Sequence, residues 1–326
     1  MAQAEVLLKI LSDGKYHSGE ELGQQFSVSR AAIWKAIQKI EQQYAVNIYA
    51  VKGKGYRLPG ELDLLDKESI MSSLSNSTLN KLHELEILHA VDSTNHYLNN
   101  KSVDGASSGY IVLAEQQSKG QGRRGKAWIS PFASNVYLSL LWRFPFGPAQ
   151  LSCLSLFIAV AVVRSLKRLG LDDVGVKWPN DIYYKNKKIA GILLEMRGDL
   201  SGPCAVVIGV GVNVSMPKNN KEVNMIDQPW SDIESILQQK IQRNTVTTFI
   251  IDDLFKVLSQ IPENNSLLLD EWQSLDVLKD QHVEVISQEK ILTGICKGIN
   301  KDGALRVQHG NKEKFYHSGE VSLRRE

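Results

Sequence analysis

Lys119-Gly120-Gln121-Gly122-Arg123-Arg124-Gly125-Lys126, running on into Ala127-Trp128-Ile129-Ser130-Pro131, is the stretch whose reading decides the fold class. It holds four positive charges, three glycines and no acid. Gly120, Gly122 and Gly125 spell G-x-G-x-x-G after an apolar run, and Gly120 through Lys126 spell G-x-x-x-x-G-K. Both nucleotide-binding patterns need a helix directly afterward, and the second needs Ser or Thr where Ala127 stands. Trp128-Ile129-Ser130-Pro131, followed by an alternating run over 135–143, supplies no helix. The Rossmann and Walker readings therefore fail, and a doubly wound parallel sheet fails with them. What survives is a basic glycine-rich loop whose amides approach an anion and whose Arg123, Arg124 and Lys126 neutralise phosphate. On this stretch alone a solvated surface turn competes with that reading.

Outward from the loop, 111–115 and 135–143 read as strands and 151–169 as a buried helix. Strands follow over 175–178, 182–184, 188–196 and 204–214, with a turn at Lys185-Asn186-Lys187. Helices are expected over 232–242, 247–259 and 266–274. Helices mixed with hairpins predict an α+β central domain. Beyond Gln281, short β runs at 283–286, 291–299, 304–308 and 315–316 predict a small closed β-barrel of about 50 residues.

Toward the N-terminus, 4–11, 18–26 and 29–42 read as helices, the last two separated by Ser27-Val28-Ser29, the spacing of a helix-turn-helix. Ile33, Ile37 and Ile40 share one face of the third helix, leaving Arg30, Lys35, Gln38 and Lys39 outward. The run 46–51, a turn at Gly53-Lys54-Gly55 and a return over 56–58 add a β-hairpin wing. Through residue 60 eight basic residues stand against five acidic ones, a net +3. Pro59-Gly60-Glu61 breaks this unit from a helical stretch over 67–74. The expected domains are a winged helix-turn-helix at 1–62, a central domain at 67–274 and a β domain at 275–326.

The whole chain of 326 residues is 43% hydrophobic and 23% charged with a net charge of +2, so no large overall field announces nucleic acid or membrane. A nucleic-acid partner must be met by a local patch. Cys153, Cys204 and Cys296 are too far apart in sequence for a C-x-x-C pair and read as reduced structural thiols. The seven histidines show no metal spacing, so no resident metal is expected. Residues 1–11 lack the features of a secretory signal, and the apolar run 151–163 is shorter than a membrane span of about 20 residues, so a cytoplasmic protein with no membrane partner is expected.

Three more clusters carry chemistry. Lys177-Trp178-Pro179-Asn180-Asp181 puts a cation, an amide and a carboxylate around a rigid turn, and Lys188 follows before Ile189-Ala190-Gly191-Ile192-Leu193-Leu194. Lys188 alone reads equally as an ordinary strand-edge lysine. Asp92-Ser93-Thr94-Asn95 either caps a helix starting at Asn95 or binds a polar ligand. Gly209-Val210-Gly211-Val212-Asn213 is a strand whose glycines admit close approach.

These clusters, in this order, resemble biotin protein ligase. With the winged helix in front, the chain is similar to the bifunctional bacterial form, which is also the repressor of the biotin synthesis operon, and the resemblance spans nearly the whole chain. It implies a class II synthetase-like central domain and an SH3-like C-terminal barrel. It implies that biotin attacks the α-phosphate of ATP, with Mg2+ as co-substrate, and that biotin then passes to a lysine of the biotin carboxyl carrier protein of acetyl-CoA carboxylase. The adenylate-bound homodimer would bind biotin operator DNA. By resemblance Lys188 bridges the carboxylate and the α-phosphate, and Arg123 retains the adenylate, so these two are the catalytic residues. Ser93, Thr94, Asn95, Gln117, Gln121, Gly122, Gly191, Leu193 and Gly209 would surround biotin. Arg124, Trp128, Lys177, Asn180, Asp181 and Asn213 would meet the nucleotide, Trp128 by stacking on adenine and the last three as nucleotide or magnesium contacts. Ser29, Arg30, Trp34, Lys35, Lys52 and Lys54 would face DNA. The family commonly reads G-R-G-R-R-G where this chain has Gln121 at the first Arg position. A vitamin-sensing transcription factor without ligase activity and a lipoate or octanoate ligase of the same fold are the alternatives.

Overall fold

Helix α1 (Ala2–Leu11), α2 (Gly19–Gln25) and α3 (Arg30–Tyr44) close on Leu7, Leu8, Leu11, Leu22, Ile33, Ile37 and Ile40, the apolar stripes their spacing predicts. Ser18 caps α2 by accepting from the Glu20 amide. The wing is the antiparallel pair β1 (Tyr49–Val51) and β2 (Gly55–Arg57). It starts later than the run at 46 suggests, because the Ile48 amide donates to the Glu41 carboxylate instead of a strand partner. The structure, a computed structural model, describes residues 2–44, 46–198, 202–218, 220–287, 290–319 and 321–325.

The central unit runs α4 (Lys67–Ser73), α5 (Asn76–Leu79), β3 (Glu84–Leu88), α6 (Thr94–Val103), β4 (Tyr110–Ala114), β5 (Val136–Phe144), α7 (Leu154–Arg168), β6 (Val174–Lys177), β7 (Asp181–Tyr184), β8 (Lys187–Gly198), β9 (Cys204–Val212), α8 (Ile233–Leu237), α9 (Arg243–Leu258) and α10 (Asn265–Leu275). Its seven strands form one sheet in the order β3-β4-β5-β9-β8-β7-β6, antiparallel except for the β3–β4 pair. Side chains alternate across the strands: Tyr110 and Val112 pack under α6 with Leu98, while Ile111 and Leu113 enter the main core with α7 and α9. The segment Pro148–Arg168 has the length and apolarity of a membrane span, yet 72% of its most apolar window is buried inside the fold. It is the core helix, buried along most of its length, with Arg164, Lys167 and Arg168 reaching toward solvent near its end. The helix expected over 232–242 is α8 and stops at Leu237, where Gln238 turns left-handed at φ 55° and its amide closes on the Glu234 carbonyl.

Strands β10 (His282–Ile286), β11 (Ile291–Ile299), β12 (Leu305–His309), β13 (Lys312–Tyr316) and β14 (Ser322–Arg325) form an antiparallel sheet in the order β13-β12-β11-β10-β14. Among the described residues no β13–β14 pairing closes this sheet into the expected barrel. A register shift between Cys296 and Ile299 bends β11, and β14, which sequence reading missed, lies at the open edge facing the central unit. Cys153, Cys204 and Cys296 are free and buried.

The segment joining helix-turn-helix and sheet is fixed in place. Arg243, 2% exposed, donates to the Asp63 carbonyl and the Asn135 carbonyl and pairs with the buried Glu115 at 2.7 Å. The other Glu115 oxygen accepts from the Leu65 amide at 2.6 Å. Phe132, just past the basic loop, enters the N-terminal core and packs on Tyr44 at the end of α3, ring centroids 4.5 Å apart.

Candidate active site

One cavity of about 920 Å3 opens over the N-terminal half of β8 and the C-terminal half of β9, and the clusters singled out in the sequence meet on its walls. At one end the groups are neutral and polar. Ser93 caps α6, its hydroxyl accepting from the His96 amide, so that helix starts at Thr94 and not Asn95. Gln117 accepts from the Thr94 amide at 2.9 Å and its hydroxyl at 3.1 Å, and donates to Ser130 at 3.0 Å. Ser139, fully buried on β5, donates toward the Asn95 carbonyl oxygen at 2.6 Å. A Cβ at Gly209 would stand 2.3 Å from that same oxygen, so only glycine lets Asn95 lie on the strand. Leu193 and Gly191 line the wall between the two ends.

At the other end cations gather. Lys188, at the start of β8, pairs with Asp181 at 2.7 Å and lies 5.4 Å from the Trp128 ring centre. Trp128 rests on the registered glycine pair of β8 and β9, where a Cβ at Gly211 would come within 2.5 Å of the indole. Its Nε1 is buried with no hydrogen-bond partner. Lys177 reaches Tyr183 at 3.4 Å. Burial lowers the Lys177 ammonium below its ordinary value, Asp181 opposes this, and Lys188, Arg324 and Lys126 add to it. Burial likewise lowers Arg123, again against Asp181 and with Arg124. Both shifts come chiefly from burial, with Asp181 opposing them and the like-charged neighbours adding less.

The basic loop is a narrow hairpin. Gln121 bridges Ala127, the Gly122 amide donates to the Lys126 carbonyl at 2.7 Å, and the tip passes through left-handed Arg124 at φ 56° and Gly125 at φ 72°. Arg123 donates to Asn180 at 3.1 Å and Ser318 at 3.0 Å; Arg124 donates to Ser322 at 2.6 Å and the Gly319 carbonyl at 2.9 Å. The loop is thus docked on the C-terminal sheet.

Every ligand residue named from sequence lines this cavity except Asn213. Asn213, 5% exposed, donates instead to the Ser231 carbonyl at 3.1 Å, which ties down the segment whose Pro229 carbonyl accepts from the Lys188 amide. In this position its amide supports the wall of the site from behind. Asp181 lines the cavity with its carboxylate engaged by Lys188. Sequence reading missed Ser139, Glu195, the segment around Met225–Pro229 and β14 with Arg324. The one available signal was Ser139, a small polar residue set between Leu138 and Leu140 in a buried strand.

On the N-terminal unit Arg30, Trp34, Lys35, Lys52 and Lys54 are all exposed, Trp34 by 51%. Ser29 is exposed too, but its hydroxyl accepts from the Ala32 amide and caps α3. On the wing, Arg57, missed in the sequence, stacks over Tyr16 at 4.9 Å and Tyr49 at 5.7 Å, and Lys54 lies 5.7 Å from Tyr16.

Fold and site define a ligase-type catalytic domain joined to a helix-turn-helix. Residues 87–213 match the biotin/lipoate A/B protein ligase family, residues 3–57 an HTH domain, and residues 280–324 the biotin protein ligase C terminal domain. The bifunctional ligase/repressor BirA of Escherichia coli strain K12 is 37% identical over 98% of this chain and 96% of its own length. The Bacillus subtilis strain 168 protein of the same name is 31% identical over 95% of this chain and 94% of its own. Among solved structures, biotin protein ligase from Aquifex aeolicus in complex with biotin and ATP is 25% identical with a TM-score of 0.65, covering 75% of this chain and all of that one. The chain belongs to the family of bifunctional biotin ligase/repressors.

Proposed function

We propose that the chain activates biotin with ATP, transfers it to a carrier-protein lysine, and binds operator DNA as an adenylate-bound dimer that represses the biotin operon. The observation that carries this is one cavity with a neutral, hydrogen-bonding end and a cationic end, which suits a ligand with an uncharged polar head, an acid tail and a nucleotide beside it. The biotin carboxylate oxygen attacks the α-phosphorus, the bond to the β-phosphate oxygen breaks, and pyrophosphate leaves. A lysine amine then attacks the acyl carbon, an amide forms, and AMP departs.

Lys188 lies between the carboxylate and the α-phosphate, and moves to them from Asp181. Arg123 and Lys177 offset the charge that builds on the phosphoryl oxygens. Trp128 lies under the adenine, and its Nε1 is available as a donor. The loop 119–128 excludes water from a mixed anhydride that hydrolyses readily. Mg2+ would enter with ATP as a co-substrate. We read the units as 1–62, 67–274 and 275–326, the central one class II synthetase-like and the last an SH3-like module opened along β14. We place the protein in the cytoplasm with its carrier and operator. Exposed Arg30, Trp34 and Lys35 on α3 enter the major groove and Lys52 and Lys54 meet phosphate.

Pyrophosphate release with biotin and ATP, followed by labelling of a carrier domain, tests the ligase. Release that depends on biotin and not on lipoate supports it. No release would leave a sensing repressor, and release with lipoate would move the chain to the lipoate ligases.

A further inference from the structure

We infer that Glu195, on β8 outside the predicted site, is a positioning residue that orients the Asn95 amide and so sets the head end of the cavity to accept hydrogen bonds. The inference rests on the reading of that end as the biotin pocket. Asn95 and Asn99, one turn apart on α6, both point their Nδ2 at one oxygen of Glu195, at 2.8 and 2.9 Å. A carboxylate only accepts, so the atom of Asn95 facing it is the nitrogen. The second Nδ2 hydrogen faces the Leu193 carbonyl at 3.4 Å. Asn95 Oδ1 is thereby turned to Gly209 and the cavity, sharing the Ser139 hydroxyl hydrogen with the Thr94 oxygen and keeping a second lone pair.

The neighbouring hydrogens are engaged in the same direction. Thr94 donates to Gln117, and Gln117 donates to Ser130, which donates to the Trp128 carbonyl. The free lone pair of Asn95 Oδ1 is the complement of an N–H donor on a cyclic urea and a mismatch for a ring that has none. Asn95 is 5% exposed and Asn99 6%, so water does not substitute for the carboxylate. Without Glu195 the amide keeps only the shared Ser139 hydrogen and the long contact to the Leu193 carbonyl, and a rotated amide would present N–H to N–H.

The test is biotin binding to the full chain by calorimetry, with steady-state adenylation alongside. Glu195→Ala is expected to weaken biotin binding and raise its KM by roughly ten-fold or more, with kcat at saturating biotin and the KM for ATP within about two-fold of wild type. Glu195→Gln, whose carbonyl still accepts from both asparagines, restores binding to within about three-fold. In an Asn95→Ala background the further loss on Glu195→Ala disappears, because the residue acts through that amide. Should the alanine variant fail to fold, Glu195→Asp, too short to reach Asn95, gives the same KM-specific loss. Binding unchanged in Glu195→Ala or Glu195→Asp, a loss additive with Asn95→Ala, or a fall in kcat at unchanged KM overturns the inference alone. A wild-type chain that does not bind biotin overturns the pocket assignment as well.

Discussion

Lys188 and Arg123 face the same cavity but answer to different partners, and their substitutions separate two steps of the chemistry. Lys188 is held by Asp181 at 2.7 Å, and in the proposed mechanism it lies between carboxylate and phosphate. Removing its charge leaves the two anions unscreened, so Lys188→Ala is expected to slow adenylate formation on the order of a hundred to a thousand fold. The folded variant, checked by circular dichroism, should show this in a pyrophosphate burst; a burst near wild-type rate refutes the assignment. Arg123 ties the loop to Asn180 and Ser318. Arg123→Gly removes a charge-assisted clamp of about 1.5–3 kcal/mol and should release adenylate roughly ten to more than a hundred fold faster. The released anhydride then labels lysines without selection. A release time course like that of the wild type contradicts it.

Elements show how far a sequence alone reaches. The four clusters were legible because each is a few adjacent residues whose types announce their chemistry, and the helix-turn-helix because its apolar period is local. The edge strand β14 was not: its bond from Arg124 to Ser322 joins positions 198 residues apart, and four residues near a terminus carry no pattern of their own. Glu195 reaches Asn95 across 100 positions in the same way. The register shift that bends β11 between Cys296 and Ile299 likewise leaves no mark in the hydrophobic pattern of that strand. A junction element gives a pH prediction. Asp276, where α10 leads into the C-terminal sheet, has its carboxyl pushed up to about 6, chiefly by burial, against an ordinary 3.8. A raised carboxyl contributes stability in full below pH 3.8 and loses it as pH rises through about 6. Asp276→Asn keeps the acceptor for the Leu278 amide, 2.9 Å away, and should stabilise the fold at pH 8 by about 1–3 kcal/mol, with much less gain at pH 4.5. Denaturant unfolding at the two pH values checks this, and an equal effect at both contradicts it.

At the scale of the molecule, catalytic loop and DNA-binding unit are one connected body. The basic loop leads through Pro131 to Phe132, which packs on Tyr44 at the end of α3, while Arg243 and Glu115 fix the joining segment. The winged unit carries only a net +3. Affinity for an operator therefore has to come from two copies on one site, a gain of about a hundred to ten thousand fold in effective concentration when the spacing fits. Binding should steepen with protein and fall with salt as phosphate contacts release counterions. The central claim is that one bound adenylate serves both activities, and the measurement that tests it most directly is an operator gel-shift titration of the full chain. It is run without ligand, with biotin plus ATP, and again after carrier domain is added. The account predicts weak binding without ligand, tight and cooperative binding with biotin plus ATP, and release once the carrier discharges the adenylate. Binding indifferent to the ligands, or retained after the carrier has been biotinylated, would contradict it.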